Sequence, residues 1–119
     1  KINFKDINRK FDCILFSSLF HHIDDESVID FLQHAKQILK NDGKIIVFDP
    51  LLKDNDHFFI TFFNKYLEVG KWVRRVEHLK KLLLGKGELK IIHEDERLLS
   101  TFFRFPVIER FGLFILQIK

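Results

Sequence analysis

The sequence predicts an α/β domain. Residues 11–50 read as an apolar run, an amphipathic segment and a second apolar run, joined by short polar turns. Both runs are continuous rather than alternating, which suits strands covered on two faces, as in a parallel sheet. A further apolar run, Phe111–Ile118, is strand-like and reaches the last residues of the chain.

Each element has its own signal. Residues 1–10 are polar and mixed, as in a loop. The first strand spans about 11–18 and contains Cys13, Ile14, Leu15 and Phe16. Cys13 sits within the apolar pattern and is expected to be a small buried side chain. His21, His22, Ile23, Asp24, Asp25 and Glu26 follow directly. Asp24 or Asp25 suits a helix N-cap, and the acidic cluster complements the positive helix end. Val28, Phe31, Leu32, Ala35, Ile38 and Leu39 recur at the three-or-four spacing of one buried helix face. Asn41-Asp42-Gly43 is expected to stop the helix, with Gly43 in a left-handed terminal position. A strand over 44–49 follows and Pro50 closes it. Strand, helix, strand with short connections is a βαβ unit with parallel strands.

Beyond Pro50 the pattern is less regular. Phe58, Phe59, Phe62, Phe63, Tyr66 and Leu67 form a helical stripe that Gly70 breaks. Trp72, Val73, Val76, Leu79, Leu82 and Leu83 form a second stripe, and Gly85-Lys86-Gly87 reads as a turn. A strand is expected over 88–93. Core packing is the commoner use of the 58–63 stripe and of the Phe102–Pro106 run, a lid or interface the rarer one.

The 119 residues suit one domain, and the 46% hydrophobic and 31% charged fractions are those of an ordinary globular chain. The net charge of +3 is small and scattered, which argues against a nucleic-acid partner. The single cysteine excludes a disulfide framework and favours a cytoplasmic setting. No run approaches the about 18 apolar residues of a membrane span, and no signal peptide is visible. Adjacent histidines on a strand end point apart and the nearby acids serve as caps, so no metal site is expected.

This order of elements resembles the C-terminal half of a class I S-adenosylmethionine-dependent methyltransferase of the small-molecule type. The resemblance is carried by Phe11-Asp12-Cys13-Ile14, by Leu19-Phe20-His21-His22-Ile23-Asp24-Asp25 and by residues 35–47, AKQILKNDGKIIV. Gly70-Lys71-Trp72-Val73-Arg74, followed by Glu77-His78-Leu79, is similar to a stretch after the family's fifth strand. The family's Rossmann-like sheet runs 3-2-1-4-5-7-6 with its seventh strand antiparallel. The resemblance implies that this chain supplies strands 4-5-7-6, over about 11–18, 44–49, 111–118 and 88–93 respectively.

The resemblance also assigns roles. Backbone around Ser17, Ser18 and Leu19 would touch the methionine portion of S-adenosylmethionine. His21 or His22 would border the transferred methyl group, and either could take a proton from an acceptor hydroxyl or amine. The plain alternative is that one histidine only packs against the helix start. Asp49 would shape the acceptor pocket or be structural. Arg74 would hold a substrate carboxylate or pair with Glu77. The aromatic content leans towards an apolar small-molecule acceptor.

The family's glycine-rich turn after its first strand, and the acid after its second, have no counterpart here; Gly85 and Gly87 follow a helix. The expectation is therefore a single partial domain over 1–119, inactive by itself, consistent with a first residue Lys1 and no methionine. The strand at 11–18, central in a whole domain, would be left as an apolar edge prone to homodimerisation or strand swapping. The competing expectation is a non-catalytic remnant that acts as an interaction module.

Overall fold

A computed structural model of the chain describes residues 6–53, 58, 71–101 and 107–119. The stripe from Phe59 to Leu67, Gly70 and the Phe102–Pro106 run lie outside them. Strand β1 spans Phe11–Ser17 and is followed by a single 3-10 turn, Phe20–His22. Helix α1 spans Asp25–Ile38 and strand β2 Leu39–Leu52. A two-residue strand β3, Arg74–Arg75, leads into helix α2, Val76–Leu84. Strands β4, Leu89–Thr101, and β5, Val107–Ile118, complete the described chain.

The sheet order is β1-β2-β5-β4, with β3 beside the end of β2. β1 and β2 are parallel, and β5 is antiparallel to both β2 and β4. This is the expected 4-5-7-6 arrangement with its antiparallel strand in place. β4 and β5 run well past the expected 88–93 and 111–118. The continuation of β4 is polar, His93-Glu94-Asp95-Glu96-Arg97, which an outer strand of a sheet tolerates.

α1 starts where expected: the Asp24 carboxylate accepts from the Ser27 N–H at 2.8 Å, and Val28, Leu32 and Ala35 are buried. Its end differs. The helix passes into β2 at Leu39 with no left-handed glycine; positive φ among the described glycines occurs at Gly85 and Gly87. Phe11 pairs with Leu39 and Cys13 with Lys44, so two steps along β1 face five along β2. Gly43 lies in that irregularity, where a Cβ would come within 2.7 Å of Leu39 Cδ1. Its role is close approach rather than a left-handed stop. α2 begins at Val76, so Trp72 and Val73 precede it. Gly85, at φ 48°, closes α2, and its N–H reaches Lys81 O at 3.1 Å.

Both helices share one core with one face of the sheet. Phe16, Ile45, Val47, Leu51, Phe114 and Leu116 from the sheet join Val28, Leu32, Ala35, Val76, Leu79 and Leu83 from the helices. Each such buried side chain contributes about 1.5–3 kcal/mol relative to exposure. The other face carries the row Leu15–Ile46–Ile115, in which Leu15 is 61% exposed. The expectation that β1 is covered on both faces is therefore corrected. Cys13, on Leu15's side of the strand, is exposed rather than buried. β1 is the outermost strand of the described sheet, so only its helix-covered face is sheltered.

Candidate functional site

The expected site residues converge at the carboxyl ends of β1 and β2, where open α/β sheets place their ligands. β1 ends at Ser17 and the chain turns sharply at Ser18, a non-glycine residue at φ 52°. That left-handed conformation is uncommon for serine. The Ser18 N–H donates to Phe48 O at 2.7 Å, which ties the turn to the parallel neighbour. Ser17 and Ser18 are exposed and Leu19 is half-buried.

The next three residues form the 3-10 turn. Phe20 is fully buried and its ring lies 5.0 Å from that of Phe16, which anchors the turn in the core. His21 is buried and His22 exposed, with their rings 3.9 Å apart. Asp49, near the end of β2, is 2% exposed. Its Oδ1 accepts from the Phe20 N–H at 3.1 Å and meets His21 Nδ1 at 3.2 Å. A carboxylate oxygen accepts, so this contact favours the tautomer with the proton on Nδ1 and basicity at Nε2. The two histidines read as equivalent in sequence thus sit in different surroundings.

Arg74 reaches the same turn from the other side. Its side chain is 4% exposed. Nε donates to Asp25 Oδ1 at 2.7 Å, Nη1 to Phe20 O at 2.6 Å and Trp72 O at 3.2 Å, and Nη2 to Ile23 O at 2.7 Å. The carboxylate it pairs with is Asp25, and the Glu77 alternative is corrected. Arg74 lies in β3, before α2 begins, so helical spacing to Glu77 does not apply. The Trp72 N–H also donates to His21 O at 2.8 Å.

Asp25 shares its second oxygen with His78 Nε2 at 2.8 Å. Burial alone would raise the Asp25 pKa and is the largest single influence. The hydrogen bonds and charges of Arg74 and His78 together outweigh it and hold the carboxyl below its ordinary value. Asp24 is also lowered, chiefly by the bond from Ser27. Asp25 and His78 are the site-region residues that the sequence left without a partner in the turn; the acid was legible only as part of a helix-start cluster. A cavity of about 210 Å³ lies between α1 and α2, and no candidate site residue is among its lining side chains.

A family model described as a methyltransferase domain matches residues 1–47. No curated protein matches the chain. Among solved structures, the mitomycin 7-O-methyltransferase MmcR is 18% identical with a TM-score of 0.64, covering 98% of this chain and 32% of its own. The calicheamicin-biosynthesis methyltransferase CalO1, in its SAH-bound form, is 15% identical with a TM-score of 0.66, covering 100% and 33%. The fold is that of the class I S-adenosylmethionine-dependent methyltransferases. A SAM-dependent methyltransferase from Anabaena variabilis has the same likeness, 14% identical with a TM-score of 0.65, covering 97% of this chain and 51% of its own. The chain thus spans about a third to a half of the length of these three methyltransferases.

Within that fold, β1, β2, β5 and β4 take the places of strands 4, 5, 7 and 6. Ser17–Leu19 then lie at the end of the fourth strand and Asp49 near the end of the fifth. Exposed serine hydroxyls and a sharply turned backbone suit the polar amino-acid end of S-adenosylmethionine, so the residues present fit that part of the cofactor.

Proposed function

We propose that the chain is the acceptor-side half of an S-adenosylmethionine-dependent methyltransferase acting on a small-molecule acceptor. The buried Asp49–His21 pair, at the carboxyl ends of two parallel strands, is the observation that carries this reading. When bound, the cofactor supplies an electrophilic methyl group on a sulfonium. Ser17, Ser18 and Leu19 would border its methionine portion. Asp49 orients the His21 ring so that Nε2 accepts the proton that an acceptor hydroxyl or amine gives up. His22 covers one side of that ring and borders the acceptor. Alignment supplies much of the rate in such a transfer, so the rigid turn matters as much as the base. The bonds of Asp49 to the Phe20 N–H and His21, and of Arg74 to Asp25 and three backbone carbonyls, favour shaping this turn over direct contact with substrate.

The test is calorimetric titration of S-adenosylhomocysteine into the protein translated from its own gene and into the 119-residue chain. Saturable binding by the former supports the reading, and binding by neither overturns it. A second reading has an observation of its own. The open β1 edge carries Cys13 and the 61%-exposed Leu15. A non-catalytic module that homodimerises through that edge would sediment as a dimer and bind no cofactor.

A further inference from the structure

We propose that Arg74 is a positioning residue for His21, not a ligand for substrate. The inference rests on the reading of His21 as the proton acceptor. It stands on how the turn is held. Phe20 is gripped on both sides of its Cα: its N–H donates to Asp49 Oδ1, and its C=O accepts from Arg74 Nη1. Three residues on, Ile23 O accepts from Nη2 of the same guanidinium. Between these points, His21 O accepts from the N–H of Trp72, whose own carbonyl is bonded to Arg74. Asp49 therefore aims the imidazole, and Arg74 fixes the backbone from which the imidazole hangs.

The chemistry demands an arginine. One planar guanidinium supplies donors in three directions with fixed angles between them, which an ammonium cannot copy. The buried charge is balanced by Asp25, held in turn by His78. A guanidinium engaged with four acceptors is poorly disposed to capture a substrate carboxylate as well. Arg74 was offered as a substrate ligand, or else as a partner of Glu77, because it lies in the family-like stretch Gly70–Arg74; its bonds give it to the turn instead.

The test reads His21 directly and needs neither cofactor nor acceptor. The full chain is labelled with 15N-histidine, and the imidazole nitrogens are followed by NMR in the parent, Arg74→Lys and Asp25→Asn. The parent is expected to show His21 with its proton on Nδ1. Arg74→Lys is expected to shift both nitrogen resonances toward the tautomer mixture of an exposed imidazole, while the amide spectrum of the strands is retained. Asp25→Asn is expected to give a smaller shift in the same direction. A folded Arg74→Lys protein whose His21 resonances match the parent overturns the proposal. Should Arg74→Lys fail to fold, Asp25→Asn decides: unchanged His21 resonances there overturn it. A merely structural role would lower the melting temperature and leave the tautomer alone. Because no methyl transfer is measured, failure of the enzyme reading and failure of this proposal are seen separately.

Discussion

The two faces of the sheet at β1 are built from neighbouring residues and have opposite characters. Ile14 and Phe16 turn toward α1 and α2, and Phe16 is 7% exposed. Leu15 between them is 61% exposed, and Cys13 is exposed too. The apolar content of the two faces is similar, so composition does not separate them. What separates them is that both described helices lie on one side. Strand hydrophobicity alone therefore does not tell which face of β1 the described helices cover. The turn after β1 inherits the sheltered side: Phe20 anchors it in the core, and Asp49 and Arg74 hold it from beneath and beside.

The largest effect is expected where that sheltered side holds an ionisable group. Asp49→Ala removes the acceptor for both the Phe20 N–H and His21, and leaves them buried without it. A loss of about 2–4 kcal/mol in urea unfolding is expected. A loss below about 0.5 kcal/mol would show that the turn does not depend on Asp49. Gly112→Ala tests the apolar part of the same face. Gly112 pairs with Asp49 across the ladder, and an added Cβ would stand 2.3 Å from Leu51 Cδ1 and 2.7 Å from Phe114 Cε2. Overpacking there is expected to cost about 1–3 kcal/mol, read as a lower urea midpoint with unchanged slope.

The positions of the strands and the placing of the histidines at a strand end were legible, because apolar runs, caps and short connections are local signals; the order of the strands in the sheet came from the family resemblance alone. Gly43 was misread because a glycine after a helix commonly marks a left-handed stop, whereas here the demand comes from the Leu39 side chain in the strand that follows. Cys13 was misread because its pattern implied two covered faces. The full length of β4 was hidden by the charges of residues 93–97, which an outer strand can carry. The Asp25–Arg74 pair spans 49 positions, and nothing local links two such residues.

A smaller, pH-dependent effect distinguishes the helix start from the buried turn. Asp24 and Asp25 both have carboxyl pKa values below the ordinary 3.8 in the folded chain. A depressed folded value means stability that is present above the unfolded value and lost as pH falls through the folded one. The urea midpoint is therefore expected to fall on acidification below about pH 4. Asp25→Asn should flatten part of that fall and cost no more than about 1 kcal/mol at neutral pH, since the carboxylate is 41% exposed. An unchanged acid limb in that variant would show that the Arg74 and His78 contacts do not persist in solution.

The smallest effect on stability belongs to the bare side. Leu15→Thr alters a side chain that is mostly in water, and threonine keeps the strand preference, so unfolding should change by no more than about 0.5 kcal/mol. Its consequence should lie in association. An apolar strand edge recruits a partner strand through its unpaired backbone groups, and the side chains beside it decide how much apolar area the pairing hides. If the chain dimerises through β1, Leu15→Thr should weaken the dimer several-fold in sedimentation and leave the melting curve of the dilute monomer in place. If it dimerises with the same affinity as the parent, the contact lies elsewhere, and exposure at Leu15 reflects only the absence of a second helical layer from the described chain.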